Sequence, residues 1–350
     1  MERLLTLISR LTAVILTVLL LTACNSIDED LSDCEDQSNF ELNYELRLVT
    51  NMTTEMQTQL TTQTDIYVGA SLRSYLSNIF TDYAHDVDLS FYDTVDDSIR
   101  LDHQTAIMND NQKTYTLYLP KRQYQHLAVA NLQNDSLVTL TGDEKCHTAK
   151  LLQINADTIT SLNTGIFTAR QPLNVLEVDT TFHVKLYMVN CATALVLDTT
   201  GIEIRSIRAE AVGFATGFNI CDSIFTFRNN NLTVKADNID MGQNSKKLCL
   251  CTVSLPSREP FQQRLVIETE EPFANTYTEN GLWQYKVYVT LKNGTTTQSV
   301  LNMATPLRAG QLKIIKASLR DDGAVVTNAI NVGVSVTLDW KPGGEYNPIL

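Results

Sequence analysis

Hydrophobic and polar residues alternate along most of this chain. In FELNYELRLV, residues 40–49, the aromatic and leucine side chains occupy every second position and charged or amide side chains fill the positions between them. A period of two places all the apolar side chains on one face of an extended strand. The same period recurs in residues 114–119, 126–132, 183–190, 193–199, 264–269 and 285–291. Turn-forming residues separate these short segments, so the pattern predicts an all-β, mainly antiparallel fold of stacked sheets.

One segment follows the helical period instead. In GASLRSYLSNIFTDY, residues 69–83, apolar side chains recur at spacings of three and four. This spacing predicts one short amphipathic helix lying over the first group of strands. A helix on a membrane surface is the alternative, but the polar face carries Arg73 as its one cation, fewer than such helices use.

The length of the chain allows two domains of ordinary size, since 350 residues can bury two separate cores. We place the boundary between Pro172 and Asp179, ahead of the strand that begins at Phe182. The prediction is therefore an N-terminal β-sandwich domain at residues 39–177 and a C-terminal β-sandwich domain at residues 178–350.

The first 23 residues have the features of an export signal. Arg3 and Arg10 precede an apolar run from Leu11 to Leu21, which is shorter than the roughly 20 residues that a bilayer span needs. An ordinary cleaved signal peptide and a short anchor helix are the alternatives. The junction of Ala23 and Cys24 resembles the bacterial lipoprotein signal, in which the cysteine sulfur is acylated and cleavage follows. Cys24 is then the first mature residue and a membrane tether, since several acyl chains together hold firmly.

An acidic spacer at residues 24–38 follows. Its first acids are Asp28, Glu29 and Asp30. One interpretation is a solvated, unstructured linker. The tract also resembles the acid-rich segments that send lipoproteins to the outer face of the outer membrane in Bacteroidetes-like bacteria. The formal net charge of −13 disfavours a nucleic acid as partner, because phosphate backbones need clusters of Lys and Arg.

The sequence contains no recognisable catalytic motif. Its five histidines are scattered, and neither a phosphate-binding glycine loop nor a nucleophile elbow is present. We therefore predict no enzyme activity, no cofactor and no metal site.

Six cysteines remain after Cys24, and in an exported protein they can form up to three disulfides. They are Cys34, Cys146, Cys191, Cys221, Cys249 and Cys251. Buried thiols are the alternative. A metal site is less compatible with the sequence, because no histidine lies near Cys249 and Cys251 at ligand spacing. Two positions apart on a strand, those two side chains should point to the same face.

Several motifs together resemble the Bacteroidales fimbrial anchor family, the lipidated minor subunits of type V pili. They are the lipoprotein signal, the D-L-S-x-C signature at Asp30–Cys34, the strand FELNYELRLVTN, and residues 75–93 and 117–133. Glu35 departs from the proline that often follows this signature. The resemblance implies two tandem transthyretin-like Greek-key sandwiches and assembly with a fimbrial stalk subunit by strand exchange. It also implies an outer-membrane location at the base of the fimbrium.

Strand exchange in stalk subunits begins when a protease cuts after a basic residue and removes the first strand. From Leu48 through Leu72 this chain has no Lys or Arg. We therefore predict that strand 40–49 stays in place, so that the subunit accepts no donor and ends the polymer.

The last alternating segment has two interpretations. Its apolar positions include Val332, Val334, Val336 and Leu338. They form either a donor strand for a neighbouring subunit or the closing strand of the second sandwich. A rival function is a surface lipoprotein that binds glycans or proteins through an exposed aromatic platform. Of the two tryptophans, Trp283 and Trp340, Trp283 could face a sugar, and packing in the core or at its rim is the alternative.

Overall fold

The structure, a computed structural model, describes residues 39–50, 52–63, 66–96, 99–109, 112–133, 136–176, 180–228, 231–242, 245–259, 282–328 and 332–339. Six predicted site residues lie wholly outside this range. Ala23, Cys24, Asp28, Glu29, Asp30 and Cys34 lie outside the described residues, as does Trp340. In the described part no helix is long and apolar enough to cross a membrane.

The described residues form two helices and a series of strands. The helices are α1 (Met52–Gln63) and α2 (Ile66–Ile79). The strands of the first half are β1 (Asn39–Val49), β2 (Asp86–Asp93), β3 (Arg100–Ile107), β4 (Thr114–Pro120), β5 (Gln123–Ala130), β6 (Val138–Thr141), β7 (Lys150–Gln153), β8 (Thr158–Thr160), β9 (Phe167–Asn174) and β10 (Thr180–Met188). Those of the second half are β11 (Cys191–Asp198), β12 (Ile204–Phe214), β13 (Gly217–Asn219), β14 (Ile224–Thr226), β15 (Leu232–Lys235), β16 (Asp237–Ile239), β17 (Lys247–Ser254), β18 (Trp283–Leu291), β19 (Thr296–Met303), β20 (Leu312–Leu319), β21 (Val325–Val326) and β22 (Val332–Asp339).

The first sandwich is a seven-stranded sheet that folds back on itself. Its strand order is β3-β2-β5-β9-β10-β1-β4, and β9 pairs with β10 at two positions only, through Phe167 and Thr168. Three strand spacings would separate β5 from β1 in a flat sheet, about 14 Å. Side chains of β1 and β5 are nevertheless in contact, at Tyr44 and His126. The sheet therefore turns a corner at β9–β10 and encloses its own core.

The second sandwich has two separate sheets. One has the order β16-β17-β11-β20-β21 and the other β22-β19-β18-β12-β15-β8. Between them lies an apolar cluster that includes Leu195, Leu250, Trp283 and Tyr285. Most strand pairs in both sandwiches are antiparallel, with parallel pairs at β1–β10, β11–β20 and β15–β8. The predicted all-β class is confirmed.

The two helices pack against the outer face of the five-stranded sheet. α1 contacts β20, and the Tyr75 hydroxyl of α2 donates a 2.5 Å hydrogen bond to Asp237 of β16. Consequently β11 is covered on both faces and is buried along almost its whole length. One continuous apolar cluster runs from the first sandwich through the helices to this face, where it includes Val253 and Leu312.

The prediction of a single helix was incomplete. The sequence of α1 is MTTEMQTQLTTQ. Its buried apolar side chains form a narrow stripe at spacings of four, Met52, Met56 and Leu60. Because threonines and glutamines fill most of the other positions, the helical period is weak in the sequence. The predicted helix corresponds to α2, which begins three residues earlier than expected, at Ile66, and ends at Ile79.

The predicted strand that begins at Phe182 corresponds to β10. As β10 it pairs with β1 and β9 in the first sandwich, although the predicted boundary assigned it to the C-terminal domain. Apart from β8, the strands of the second sandwich follow Met188 in the chain. A small four-stranded sheet, β14-β13-β7-β6, joins strands from either side of the predicted boundary. The division of the chain into two domains between residues 177 and 178 therefore stays a prediction.

Candidate functional site, an occupied strand slot

The first strand lies between two others and fills what we call the strand slot, the space between β10 and β4. β1 pairs with β10 in parallel at eight positions, from Leu42 with Thr180 to Val49 with Tyr187. On its other side it pairs with β4 in antiparallel fashion at seven positions, beginning with Asn39. Its backbone groups are thus bonded along both edges.

Alternate side chains of β1 enter the core. Leu42 and Tyr44 are fully buried and Leu46 is 5% exposed, whereas the residues between them face outward. The slot contributes apolar side chains from both neighbouring strands: Leu117 and Leu119 from β4, and Val184 and Leu186 from β10. Main-chain pairing combined with pockets for alternate side chains is the chemistry by which proteins recognise an added strand. Here the chain's own β1 supplies that strand.

A buried hydrogen-bonded chain fixes the position of β1. His126 Nδ1 lies 3.0 Å from the carbonyl oxygen of Ser90, and the Tyr44 hydroxyl lies 2.5 Å from His126 Nε2. Burial lowers the pKa of His126 to about 4, so the ring is neutral at physiological pH. A carbonyl can only accept, so Nδ1 carries the proton and Nε2 accepts from Tyr44. Phe91 stacks on the face of the imidazole, with the two ring centroids 4.5 Å apart.

No motif in the sequence marks His126 as a functional residue, and it is one of five scattered histidines. The available clue was its position in QYQHLAVA, where it alternates in phase with Tyr124 and Ala128 and therefore faces the core with them. Which residue it would meet there depends on the corner at β9–β10, which no local pattern encodes.

The segment after β1 leads directly into the helix layer. The Thr50 hydroxyl accepts a hydrogen bond from the backbone N–H of Met52 at 2.9 Å, where α1 begins. This contact satisfies one of the backbone donors that the first turn of a helix leaves unpaired. The stretch without Lys or Arg, Leu48 through Leu72, therefore consists of the end of β1, all of α1 and the first half of α2 in the described residues.

The candidate donor strand is paired within its own sheet. β22 forms eight antiparallel pairs with β19 and lies at the edge of the six-stranded sheet. Val332 is half-buried against the second core and Val334 is 38% exposed. The side chains of Val336 and Leu338 lie outside the described residues. This arrangement matches the closing-strand alternative, and donation would require either that the ladder open or that the outer edge of β22 take part.

All five cysteines in the described part are buried, and no disulfide joins any of them. The Sγ atoms of Cys146 and Cys221 lie 3.7 Å apart. Cys249 and Cys251 both face the helix layer while Leu250 faces the second core, which confirms that the two share a face. Among the described residues, no group of three or more His, Cys, Asp or Glu side chains is arranged to hold a metal ion.

Trp283 is unavailable as a binding platform. Its ring is 2% exposed, its Nε1–H donates to the carbonyl oxygen of Thr305 at 2.9 Å, and it packs against Phe214 at 5.4 Å. The side chain is a core residue of the second sandwich, since it lies at an inward position of the alternating strand β18.

Comparison with solved structures identifies proteins of similar fold. A candidate adhesin of Bacteroides thetaiotaomicron has a TM-score of 0.50 and 10% identity, and the match covers 85% of this chain and 96% of that one. The fimbrial anchor protein Mfa2 of Porphyromonas gingivalis has a TM-score of 0.46 and 10% identity, covering 86% and 98% of the two chains. The tip fimbrial protein Mfa3 of the same organism has a TM-score of 0.38 and 12% identity, covering 86% and 100%.

Comparison of the sequence with family models is more specific. No curated protein matches the sequence significantly. A family model described as fimbrillin-A associated anchor proteins Mfa1 and Mfa2 matches residues 31–212, which is just over half of the chain. The matched region includes β1, both helices and the complete strand slot. The chain therefore belongs to the family of fimbrillin-A associated anchor proteins.

Proposed function

We propose that this protein is a lipidated anchor subunit at the base of a type V fimbria. It is held in the outer membrane through Cys24, faces the cell exterior and ends the polymer because its strand slot is already filled. The observation that carries the proposal is the position of β1, paired along both edges and buried at Leu42 and Tyr44. Membership of the anchor family supports the same role.

A filled slot has a direct consequence for assembly. A donor strand from another subunit needs the backbone groups of β10 and β4 and the pockets that Leu42, Tyr44 and Leu46 occupy. To enter, it would have to displace β1 from both neighbours. The helices that follow β1 are packed into the core, and no Lys or Arg lies from Leu48 through Leu72, so a protease that cuts after basic residues has no site there to release β1. A subunit of this kind can hold one end of a polymer but cannot extend it beyond itself.

The stalk subunit must then be bound elsewhere. We propose that β22 provides the contact, with Val332, Val334, Val336 and Leu338 as the alternating side chains of a strand offered to that subunit. Among the described residues β22 is the edge strand of its sheet, and an edge strand is a template for pairing with another chain. Substituting Val334, which is 38% exposed, with aspartate would place a charge on this surface while leaving the half-buried Val332 in place.

Replacement of Cys24 by serine tests the anchor role in cells. We expect fimbriae to be shed into the medium and the protein to be absent from the outer-membrane fraction, because no acyl chain can be attached. Replacing Ser38, at the end of the spacer, with alanine is the control and should leave the membrane attachment of both the fimbriae and the protein unchanged. If the Cys24→Ser protein stayed in the outer membrane and the fimbriae stayed attached, the proposal would be wrong.

A second experiment addresses termination. In cells lacking this protein, fimbriae should be longer or released, and expression of the wild-type chain should restore their attachment. The Val334→Asp chain should reach the membrane but fail to retain fimbriae if β22 contacts the stalk. Full retention by this variant would locate the stalk contact elsewhere.

A further inference from the structure

The direction of β1 relative to β10 determines how the protein responds to a pulling force. The two strands are parallel, with Leu42 beside Thr180 and Val49 beside Tyr187. The N-terminal tether is therefore attached at the N-terminal end of β1, which lies beside the N-terminal end of β10. The chain leaves β10 at the opposite end and reaches β11 of the second sandwich through Val189 and Asn190 alone. A force between the tether and the second sandwich is applied at opposite ends of the β1–β10 pair.

We propose that the strand slot is a mechanical clamp, which keeps the protein folded while tension passes from the membrane through β1 to the second sandwich. This inference rests on the proposed function, because the load enters through the N-terminal tether. The clamp gives the anchor an additional function, which is to resist the forced extraction of its first strand.

The direction of the pulling force relative to the strands makes the β1–β10 pair resistant to mechanical unfolding. When a strand is pulled along its own axis, every pair in its ladder is displaced at once, so the bonds share the force. When two strands are pulled apart from one end, the force falls on one pair at a time. The parallel ladder to β10 has eight pairs and covers about 25 Å at roughly 3.3 Å per residue. The antiparallel ladder to β4 is also sheared by axial movement of β1 and adds seven pairs.

The side chains of β1 oppose gradual slipping. A shift of one residue would turn Leu42, Tyr44 and Leu46 out of the core and their charged and amide neighbours into it. A shift of two residues restores the facing but moves Tyr44 by about 7 Å, which breaks its hydrogen bond to His126. No low-energy intermediate register exists, so β1 has to leave the slot in one concerted step.

Force spectroscopy on the purified folded chain tests the clamp. In the first geometry, handles are attached at Ser38 and Asp321, an exposed residue of the turn after β20. In the second, they are attached at Ser38 and Lys121, which follows Pro120, the partner of Asn39. The second geometry opens the β1–β4 pair from one end. At equal loading rate, we expect the first geometry to need at least about twice the force of the second.

Two variants test whether the unfolding force depends on contacts inside the strand slot. Tyr44→Phe removes the bond to His126 and should lower the unfolding force in the first geometry. Tyr118→Phe removes a hydroxyl from a side chain that is 56% exposed on β4 and should not change it. Equal unfolding forces in the two geometries would overturn the clamp. This measurement uses no lipid, so its result is independent of whether Cys24→Ser releases the protein from cells.

Discussion

Tyr44 and His126 meet across the core of the first sandwich, where the tyrosine hydroxyl donates a 2.5 Å hydrogen bond to the imidazole. The two residues are 82 positions apart in sequence and lie on strands separated by two others in the sheet. Their contact therefore forms only when the sheet has turned its corner and β1 is in the slot. The hydrogen bond between Tyr44 and His126 is therefore present only when β1 occupies the slot.

Replacing Tyr44 with phenylalanine should lower the free energy of unfolding by about 1–3 kcal/mol, because Nε2 of a buried histidine loses its partner. Urea denaturation followed by circular dichroism measures the change. The matched control is Tyr118→Phe, at a half-exposed position of the neighbouring strand, which should change stability by no more than about 0.5 kcal/mol. Equal effects of the two substitutions would show that the Tyr44 hydroxyl contributes nothing.

Stability should fall as the pH falls below neutrality. Burial lowers the pKa of His126 to about 4, whereas a histidine of the unfolded chain titrates near 6.5. Between those values the unfolded chain binds a proton that the folded chain does not, so the free energy of unfolding decreases as the pH decreases. The contribution of His126 is complete above pH 6.5, and about 3 kcal/mol of it is lost on acidification to pH 4.

Urea denaturation at several pH values between about 4 and about 7 measures this dependence. The double variant Tyr44→Phe/His126→Phe removes the titrating ring together with the hydroxyl that would otherwise lack an acceptor. Its stability should depend less on pH across this window than that of the wild type. If both proteins lost stability equally, the acid sensitivity would arise from carboxylates elsewhere.

The helix layer should make a large contribution to stability. Leu76 of α2 is fully buried in the cluster that connects the first sandwich to the five-stranded sheet. Its replacement by alanine should cost about 2–5 kcal/mol through lost burial and the cavity left behind. Ser77→Ala, at an exposed position one residue further along the same helix, is the control and should be nearly neutral. A small cost at Leu76 would mean that the layer repacks readily.

The buried thiols should resist alkylation while the protein is folded. Burial raises the pKa of Cys191 and of Cys249 to about 12, so at pH 8 only about one molecule in ten thousand carries the reactive thiolate at each site. Treatment with iodoacetamide followed by mass spectrometry should find both residues unmodified in buffer and modified in concentrated urea. Rapid labelling of Cys249 in buffer would show that the helix layer opens.

The sequence by itself determined which residues face a core. The period of two in residues 40–49 assigned Leu42, Tyr44 and Leu46 inward positions, and the spacing of Cys249 and Cys251 placed them on one face. These predictions hold because the backbone of a strand sets the direction of each side chain locally. The family resemblance was also present in short motifs.

Only the tertiary structure decided which element covers each face. A period reveals that a face is buried, but the identity of its partner depends on contacts between residues far apart in the chain. For this reason the pairing of β10 with β1 was not predicted, and α1, whose apolar stripe is narrow, was missed. The pairing of β1 with β10 and the contact of Tyr44 with His126 arise from the folding of the whole first sheet. Local sequence encodes the inward face of β1, while the slot that receives it exists only after the sheet has closed.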